Sequence, residues 1–347
     1  MLRLLQLADR SNPRRRAVAC VHEPRIHLLE GVESVYALVQ QAIASSTPLS
    51  VLVSQKAVGE WFEYDPIYHG SDSSAWRILP PIDHPDEPAR CLISGTGLTH
   101  VGSARDRDAM HDAASKPAQS QAPAEPITDS MRMFEWGLEG GHPPDGSIGI
   151  APEWFYKGTG TMLRTHGDAL TMPTYAEDGG EEAEIAGVYV IDANGAPRRI
   201  GMTAGNEFSD HRFERRNYLN LAGSKLRECA IGPELVVDPD FSTVPGEVWI
   251  ERGGETIWRK RIASGETEMS HSLRNLEHHH FKFAQHRRPG DVHVHFFGAH
   301  SLSFGEGITL VHDDVMTVRF DGFGRALRNT LRVEHADDRL ITVSALD

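Results

Sequence analysis

Apolar positions along the chain follow two periods, and the change between them divides the sequence. Alternation over Ala17–Val21 predicts a strand. Val32, Val35, Tyr36, Leu38, Val39 and Ile43 recur at helical spacing between Gly31 and Thr47, which predicts a helix there. Leu49–Val53 reads as a further short strand. In the stretch that follows, Pro80, Pro81, Pro85 and Pro88 rule out a helix. Residues 1–90 thus form a small α/β unit, with a boundary placed near residue 90. From about residue 140 onward the pattern is mainly β. Ile185–Ile191, Gly246–Glu251, Val292–Phe297 and Val315–Phe320 are strand-like runs separated by Gly, Asp and Pro turns. One amphipathic helix is predicted around Ser272–Ala284, and there is no internal repeat. The expected class is α+β and β-rich, with residues 91–347 as the larger unit. Residues 112–128 (DAASKPAQSQAPAEPIT) are rich in Ala, Ser, Pro and Gln. Such a loop is either a disordered insert or an active-site lid, and its flanks favour the lid.

Composition narrows the class. The chain has 347 residues, 39% hydrophobic and 24% charged, which is the profile of a soluble globular protein able to bury a core without staples. Acidic residues outnumber basic ones, 49 to 35, for a formal net charge of -14, and this argues against a nucleic-acid partner. Cys20, Cys91 and Cys229 are far apart and odd in number, so no disulfide framework or CxxC knuckle is expected. A reduced, cytoplasmic protein follows as the expectation. The N-terminal apolar run precedes Arg14, Arg15 and Arg16, the reverse of a signal peptide, and no window reaches bilayer length.

Candidate chemistry concentrates between Trp154 and Pro233. EEAEIAGVYVID puts Glu182 and Glu184 two apart at the entry to an apolar strand, where side chains i and i+2 share a face. Two carboxylates side by side repel unless a cation lies between them, and hard ions such as Mg²⁺, Mn²⁺ or Ca²⁺ favour oxygen ligands. Alone, such a pair is more often a solvated strand end. Here it is followed by Gly205, Asn206 and Glu207, then by Lys225 ahead of Gly232–Pro233, and it is preceded by Lys157 in a Gly/Thr-rich loop. His278, His279 and His280 are consecutive, so on a helix they cannot all bind one ion. His293 and His295 share a strand face as a candidate pair, but zinc-protease spacings are absent and these histidines read as structural. GTGTMLRTHGD lacks the ending of a phosphate loop.

The ordered series resembles the fumarylacetoacetate hydrolase superfamily, whose run reads F-x-K-(P/G), E-x-E-(L/I), G-N-D-x-S-x-R, K and GP. Phe155–Gly158, Glu182–Ile185, Gly205–Ser209, Lys225 and Gly232–Pro233 fill those places. Gly290–Asp291–Val292, Phe297–Gly298, Gly322–Phe323–Gly324, Leu327 and Asn329 match its late part. The match covers roughly residues 90 to 335. The resemblance implies that family's mixed, β-rich catalytic fold, a homodimer, and a divalent cation held by Glu182, Glu184 and Glu207. Glu207 stands where the family usually has Asp. Lys225 is implied to stabilise a substrate oxyanion.

Two departures bear on the reaction. Acylpyruvate-type hydrolases of the superfamily carry a His–Glu dyad three residues apart, whereas His100 is followed at that spacing by Ser103. The stretch Gly97, Leu98, Thr99 and Ser103, with Arg105, Asp106 and Arg107 after it, is more similar to the branch that dehydrates 2-keto-3-deoxy sugar acids. Ser224–Lys225 and Cys229–Pro233 also resemble that branch, which makes Cys229 a packing residue. The family's late Gly-Thr reads Gly298–Ala299 here, leaving His300 or Ser301 to supply the missing contact. The expected activity is a Mg²⁺-dependent (or Mn²⁺- or Ca²⁺-dependent) dehydration of a 2-oxo acid through an enolate. Asp106, Glu135 and His100 are the candidate bases for the C3 proton, in that order. Lys157 or Lys225 would meet the substrate carboxylate or enolate oxygen, and Ser103, Asn206 and Ser301 complete the substrate contacts. Hydrolysis of a C–C bond in a 2,4-dioxo acid is the alternative, and a non-catalytic sugar-acid-binding protein the third.

Overall fold

The computed structural model describes residues 1–102, 104, 128–336 and 339–346. Among these, the strands form a 13-stranded sheet and a five-stranded sheet. The large sheet owes its centre to Ala183–Ile191, in which all nine residues are buried. Such a run needs cover on both faces, and it has it. On one face Ala186, Val188 and Val190 pack with Val294, Phe296 and the helix Val35–Ser45. On the other, Ile185 and Ala204 pack against Val248, Met316 and Val318 of the smaller sheet. Helices thus cover one side of the large sheet and a second sheet covers the other, the α+β, β-rich class expected from the sequence.

Ala183–Ile191 pairs antiparallel with Pro197–Asn206 on one side and with Val292–Phe296 on the other. Val292–Phe296 then runs parallel to Cys91–Gly95, which pairs antiparallel with Phe155–Thr159. The N-terminal strands Leu2–Asp9, Arg16–His22, Arg25–Leu28 and Trp61–Glu63 extend the same sheet through Leu235–Val237. They carry a cluster of their own around Leu5, Leu7, Tyr64 and Trp76. No helix among the described residues is long and apolar enough to cross a membrane.

The helix read at Gly31–Thr47 spans Val35–Ser45, with the Ser34 hydroxyl accepting from the Ala37 N–H as an N-cap. The helix read at Ser272–Ala284 spans Leu273–Phe281, capped by Ser272. Leu49–Val53 differs from expectation and belongs to a helix, Leu49–Lys56. Its β-branched residues suggest a strand, but Leu52 and Val53 bury against the preceding helix, and packing overrides so weak a propensity. Lys157 lies on the strand Phe155–Thr159 rather than in a loop. Its Gly and Thr neighbours hid a strand whose register shifts between Ile93 and Ser94 of its partner. The helix Asp129–Gly140 was not read from the sequence at all.

Candidate metal centre

Strand register assembles the carboxylates. Ala183 faces Asn206 and Glu184 faces Gly205, while the Glu207 N–H donates to the Glu182 carbonyl over 3.0 Å. Gly205 matters here because a Cβ on it would stand 2.5 Å from the Phe296 ring. One oxygen each from Glu182, Glu184 and Glu207 therefore lies within 4.8 Å of the others, and all three residues are buried. Sequence spacing places two of them on one strand end, and the hairpin brings in the third.

Two lysines meet this cluster. Lys225, from the short helix Leu221–Lys225, donates to Glu182 Oε1 at 2.5 Å and Glu207 Oε2 at 2.6 Å. Its ammonium also lies 4.7 Å from the centre of the Phe155 ring, a cation–π contact. Lys157 pairs with Glu207 Oε1 and donates to the Phe208 carbonyl at 2.8 Å. Burial pulls its pKa below the usual lysine range, against the opposing charge of Glu207.

Two contacts went unread in the sequence. Ser209 donates its hydroxyl to Glu207 Oε2 at 2.7 Å. His211 Nε2 lies 3.1 Å from Glu182 Oε1. Burial alone would lower the His211 pKa, but the hydrogen bond and charge of Glu182, with Asp178, leave it raised. The signal was present, because His211 fills the motif position that ends G-N-D-x-S-x-R.

Glu184 is the least compensated of the three. Its Oε2 accepts the Gly298 N–H at 2.7 Å. Burial, then the charges of Glu182 and Glu207, push its carboxyl well above the usual range, with Lys225 opposing. An all-oxygen donor set with one carboxylate held towards its protonated form suits a hard divalent cation, whose charge would restore ionisation. The donor chemistry fits Mg²⁺ or Mn²⁺.

The remaining candidates scatter. Asn206 is buried and braces the centre, its amide oxygen accepting from the Glu182 N–H at 3.2 Å and its nitrogen facing Met316 Sδ at 3.6 Å. His100 is buried beside Thr99 Oγ1 at 2.8 Å, and burial followed by the neighbouring His300 pushes its pKa down to about 3. Thr99 in turn donates to the Phe297 carbonyl at 2.6 Å, so this turn lies against the strand end that carries Gly298. Ser301 is buried and hydrogen-bonded to His300 Nδ1 at 3.0 Å. Glu135 is half-buried on Asp129–Gly140, which reaches the same turn through Phe134 against Leu98 and Ala104. Ser103, Asp106 and residues 112–127 lie outside the described residues. His293 and His295 share a face but take different partners, His280 for the first and Ser94 with Thr96 for the second. Cys229 is fully buried, and burial raises its thiol to about 12, in keeping with packing.

No protein-family model and no curated protein matches the sequence. The chain is similar in structure to 2-keto-3-deoxyarabinonate dehydratase, at 17% identity and a TM-score of 0.68, covering 96% of this chain and 100% of that one. A structure of 2-keto-3-deoxy-D-arabinonate dehydratase complexed with magnesium and 2,5-dioxopentanoate matches with the same identity, coverage and TM-score. The 2-hydroxyhepta-2,4-diene-1,7-dioate isomerase from Mycobacterium marinum matches at 15% identity and a TM-score of 0.57, over 97% of this chain and 100% of that one. At these identities the likeness establishes a shared fold.

Proposed function

We propose that this protein belongs to the fumarylacetoacetate hydrolase superfamily and dehydrates a 2-keto-3-deoxy sugar acid with the help of a divalent cation. The observation that carries this reading is the buried convergence of Glu182, Glu184 and Glu207 with Lys157 and Lys225. It is supported by the fold shared with a dehydratase whose structure contains magnesium and 2,5-dioxopentanoate. The three glutamates would hold the ion, which when bound supplies Lewis acidity towards the carboxylate and carbonyl oxygens of a 2-oxo acid.

The chain's own residues do the rest. Lys225 presents its ammonium where negative charge develops on the substrate oxygen, in a site dry enough to make that charge count. Lys157 positions Glu207 through their ion pair. The reaction removes a proton at C3 and the hydroxyl at C4 as water, and tautomerisation then gives a semialdehyde when C5 bears a hydroxyl. Asp106, Glu135 and His100 are the candidate proton acceptors. Neutral His100 can accept a proton, although a group titrating near 3 is a weak base at neutral pH.

The test is product analysis on a panel of 2-keto-3-deoxy acids and 2,4-dioxo acids with Mg²⁺. A 2-keto-3-deoxy pentonate should yield a semialdehyde and no pyruvate. Cleavage of a 2,4-dioxo acid to pyruvate, with the deoxy acids untouched, would make the protein a C–C hydrolase instead.

A further inference from the structure

A second cluster of metal-ligating side chains lies on the N-terminal hairpin. Strands Arg16–His22 and Arg25–Leu28 pair antiparallel, with Cys20 directly opposite His27. His22 is two residues from Cys20 and so shares its face of the strand. One ligand atom from each of Cys20, His22 and His27 lies within 4.8 Å of the others. Three strands of the large sheet, Leu2–Asp9, Leu235–Val237 and Pro197–Asn206, separate this hairpin from the carboxylate-bearing strand.

We infer that Cys20, His22 and His27 form a site for a soft or borderline cation, Zn²⁺ in particular, independent of the carboxylate centre. The ligand chemistry excludes a second hard-ion site, because a sulfur and two imidazoles favour Zn²⁺ or Cu(I) over Mg²⁺ and Ca²⁺. The geometry is held in advance. His27 Nε2 lies 3.0 Å from the Gly59 carbonyl, to which it can only donate, leaving Nδ1 with its lone pair. A backbone carbonyl on the second ring nitrogen is the usual support of a metal-bound histidine. The His27 ring stacks on Trp61 at 4.2 Å, and His22 lies 5.3 Å from the same indole. Cys20 Sγ lies 3.3 Å from His22 Nε2 and donates to the His27 carbonyl at 3.6 Å.

Binding displaces the thiol hydrogen. The Cys20 S–H bond breaks, the sulfur pair binds the ion, and one proton leaves to solvent. Because the thiol gives up its proton on binding, affinity rises with pH. Cys20 is buried while His22 is exposed, which leaves the fourth tetrahedral position to water. The site is of the open kind, from which zinc can exchange.

The experiment is titration of the intact protein with Co²⁺, as a spectroscopic stand-in for Zn²⁺, in excess Mg²⁺ to fill the carboxylate centre. One equivalent should produce a thiolate-to-cobalt charge-transfer band, which Zn²⁺ then abolishes. Cys20→Ser should remove the band, and His22→Gln should weaken Zn²⁺ binding on the order of 10–100-fold or more, the loss known for even indirect ligand partners. Glu184→Gln should leave the band unchanged. Absence of a band in the parent, or its persistence in Cys20→Ser, overturns the assignment. Should Cys20→Ser not fold, exposed His22 decides, and binding by His22→Gln equal to the parent overturns it as well.

Discussion

At the scale of single residues, the carboxylate centre makes opposite demands of its three glutamates. Glu207 accepts from both lysines and Ser209, so Glu207→Gln strips charge from two buried ammonium groups. Breaking a buried pair in this way costs on the order of 3–5 kcal/mol, and the metal-free variant should melt well below the parent. Glu184→Gln removes a carboxyl already pushed towards protonation, and its neutral amide should leave metal-free stability unchanged or raised. That variant should lose the stabilisation that Mg²⁺ gives the parent, expected at about 3 kcal/mol when the ion is at 100 times its Kd. Thermal melts with Mg²⁺ and with chelator check both, and a chelated Glu184→Gln that melts far below the parent would refute the argument. Lys225→Met should keep Mg²⁺ affinity, since it removes a competitor for Glu182 and Glu207, while kcat falls on the order of 10²–10³. Weaker Mg²⁺ binding with unchanged kcat would place Lys225 among the structural residues. These residues were legible as an ordered set, but their partners were not. His211 and Ser209 reach the carboxylates only because the backbone after Asn206 turns back on itself, with Gly180 and Ser209 bridged.

At the scale of elements, the site depends on how the segment after Val292–Phe296 meets the turn at Thr96–His100. Gly298 has φ +98°, donates to Glu184, and would place a Cβ 2.1 Å from Thr99 Oγ1. Gly298→Ala should therefore cost on the order of 1–3 kcal/mol in backbone strain alone, and displace the turn that carries His100. The expected readouts are a lower melting temperature and a drop in kcat exceeding that of a neighbouring Ala299→Gly control. A Gly298→Ala variant with parental kcat and stability would show that this contact is dispensable. The strands were legible where both faces are apolar, as at Ala183–Ile191, or where one face is, as at Val315–Phe320 with Met316, Val318 and Phe320 buried and Arg319 exposed. Leu49–Lys56 was misread because eight residues of mixed propensity take their form from what they pack on. Asp129–Gly140 escapes the sequence reading because its apolar residues do not mark one core face: Phe134 is buried, whereas Trp136 and Leu138 are exposed.

At the scale of the whole molecule, buried histidines tie the helix Leu273–Phe281 to the large sheet. The His280 ring lies tilted against His286, edge-on to His293 and, with ring centres 4.4 Å apart, against His295. Burial, then the neighbouring imidazoles, pushes His293 and His295 down to about 3. Below the unfolded value near 6.5 the unfolded chain binds protons that the folded one does not, so stability falls with pH through that range. By about pH 5 one such ring costs about 2 kcal/mol. Raised carboxyls such as Glu181 and Glu184 act in the opposite sense, so the effect is read as a difference. His295→Gln can still bond Ser94 and Thr96 but cannot titrate, and between about pH 7 and about pH 5 it should lose about 2 kcal/mol less than the parent in urea melts. Equal losses would mean that His295 is not buried neutral. The sequence by itself determined the apolar strands such as Ile185–Ile191, the β-rich class, the Glu182–Glu184 pair and, through an ordered motif, the approach of Glu207 and Lys225. Those are matters of short-range period and residue order, which a linear chain records directly. Only the tertiary structure decided that Lys157 pairs with Glu207, that His211 holds Glu182, and that Cys20 meets His27. Each of these contacts joins side chains whose proximity depends on strand register and crossing, and no local period in the chain specifies those.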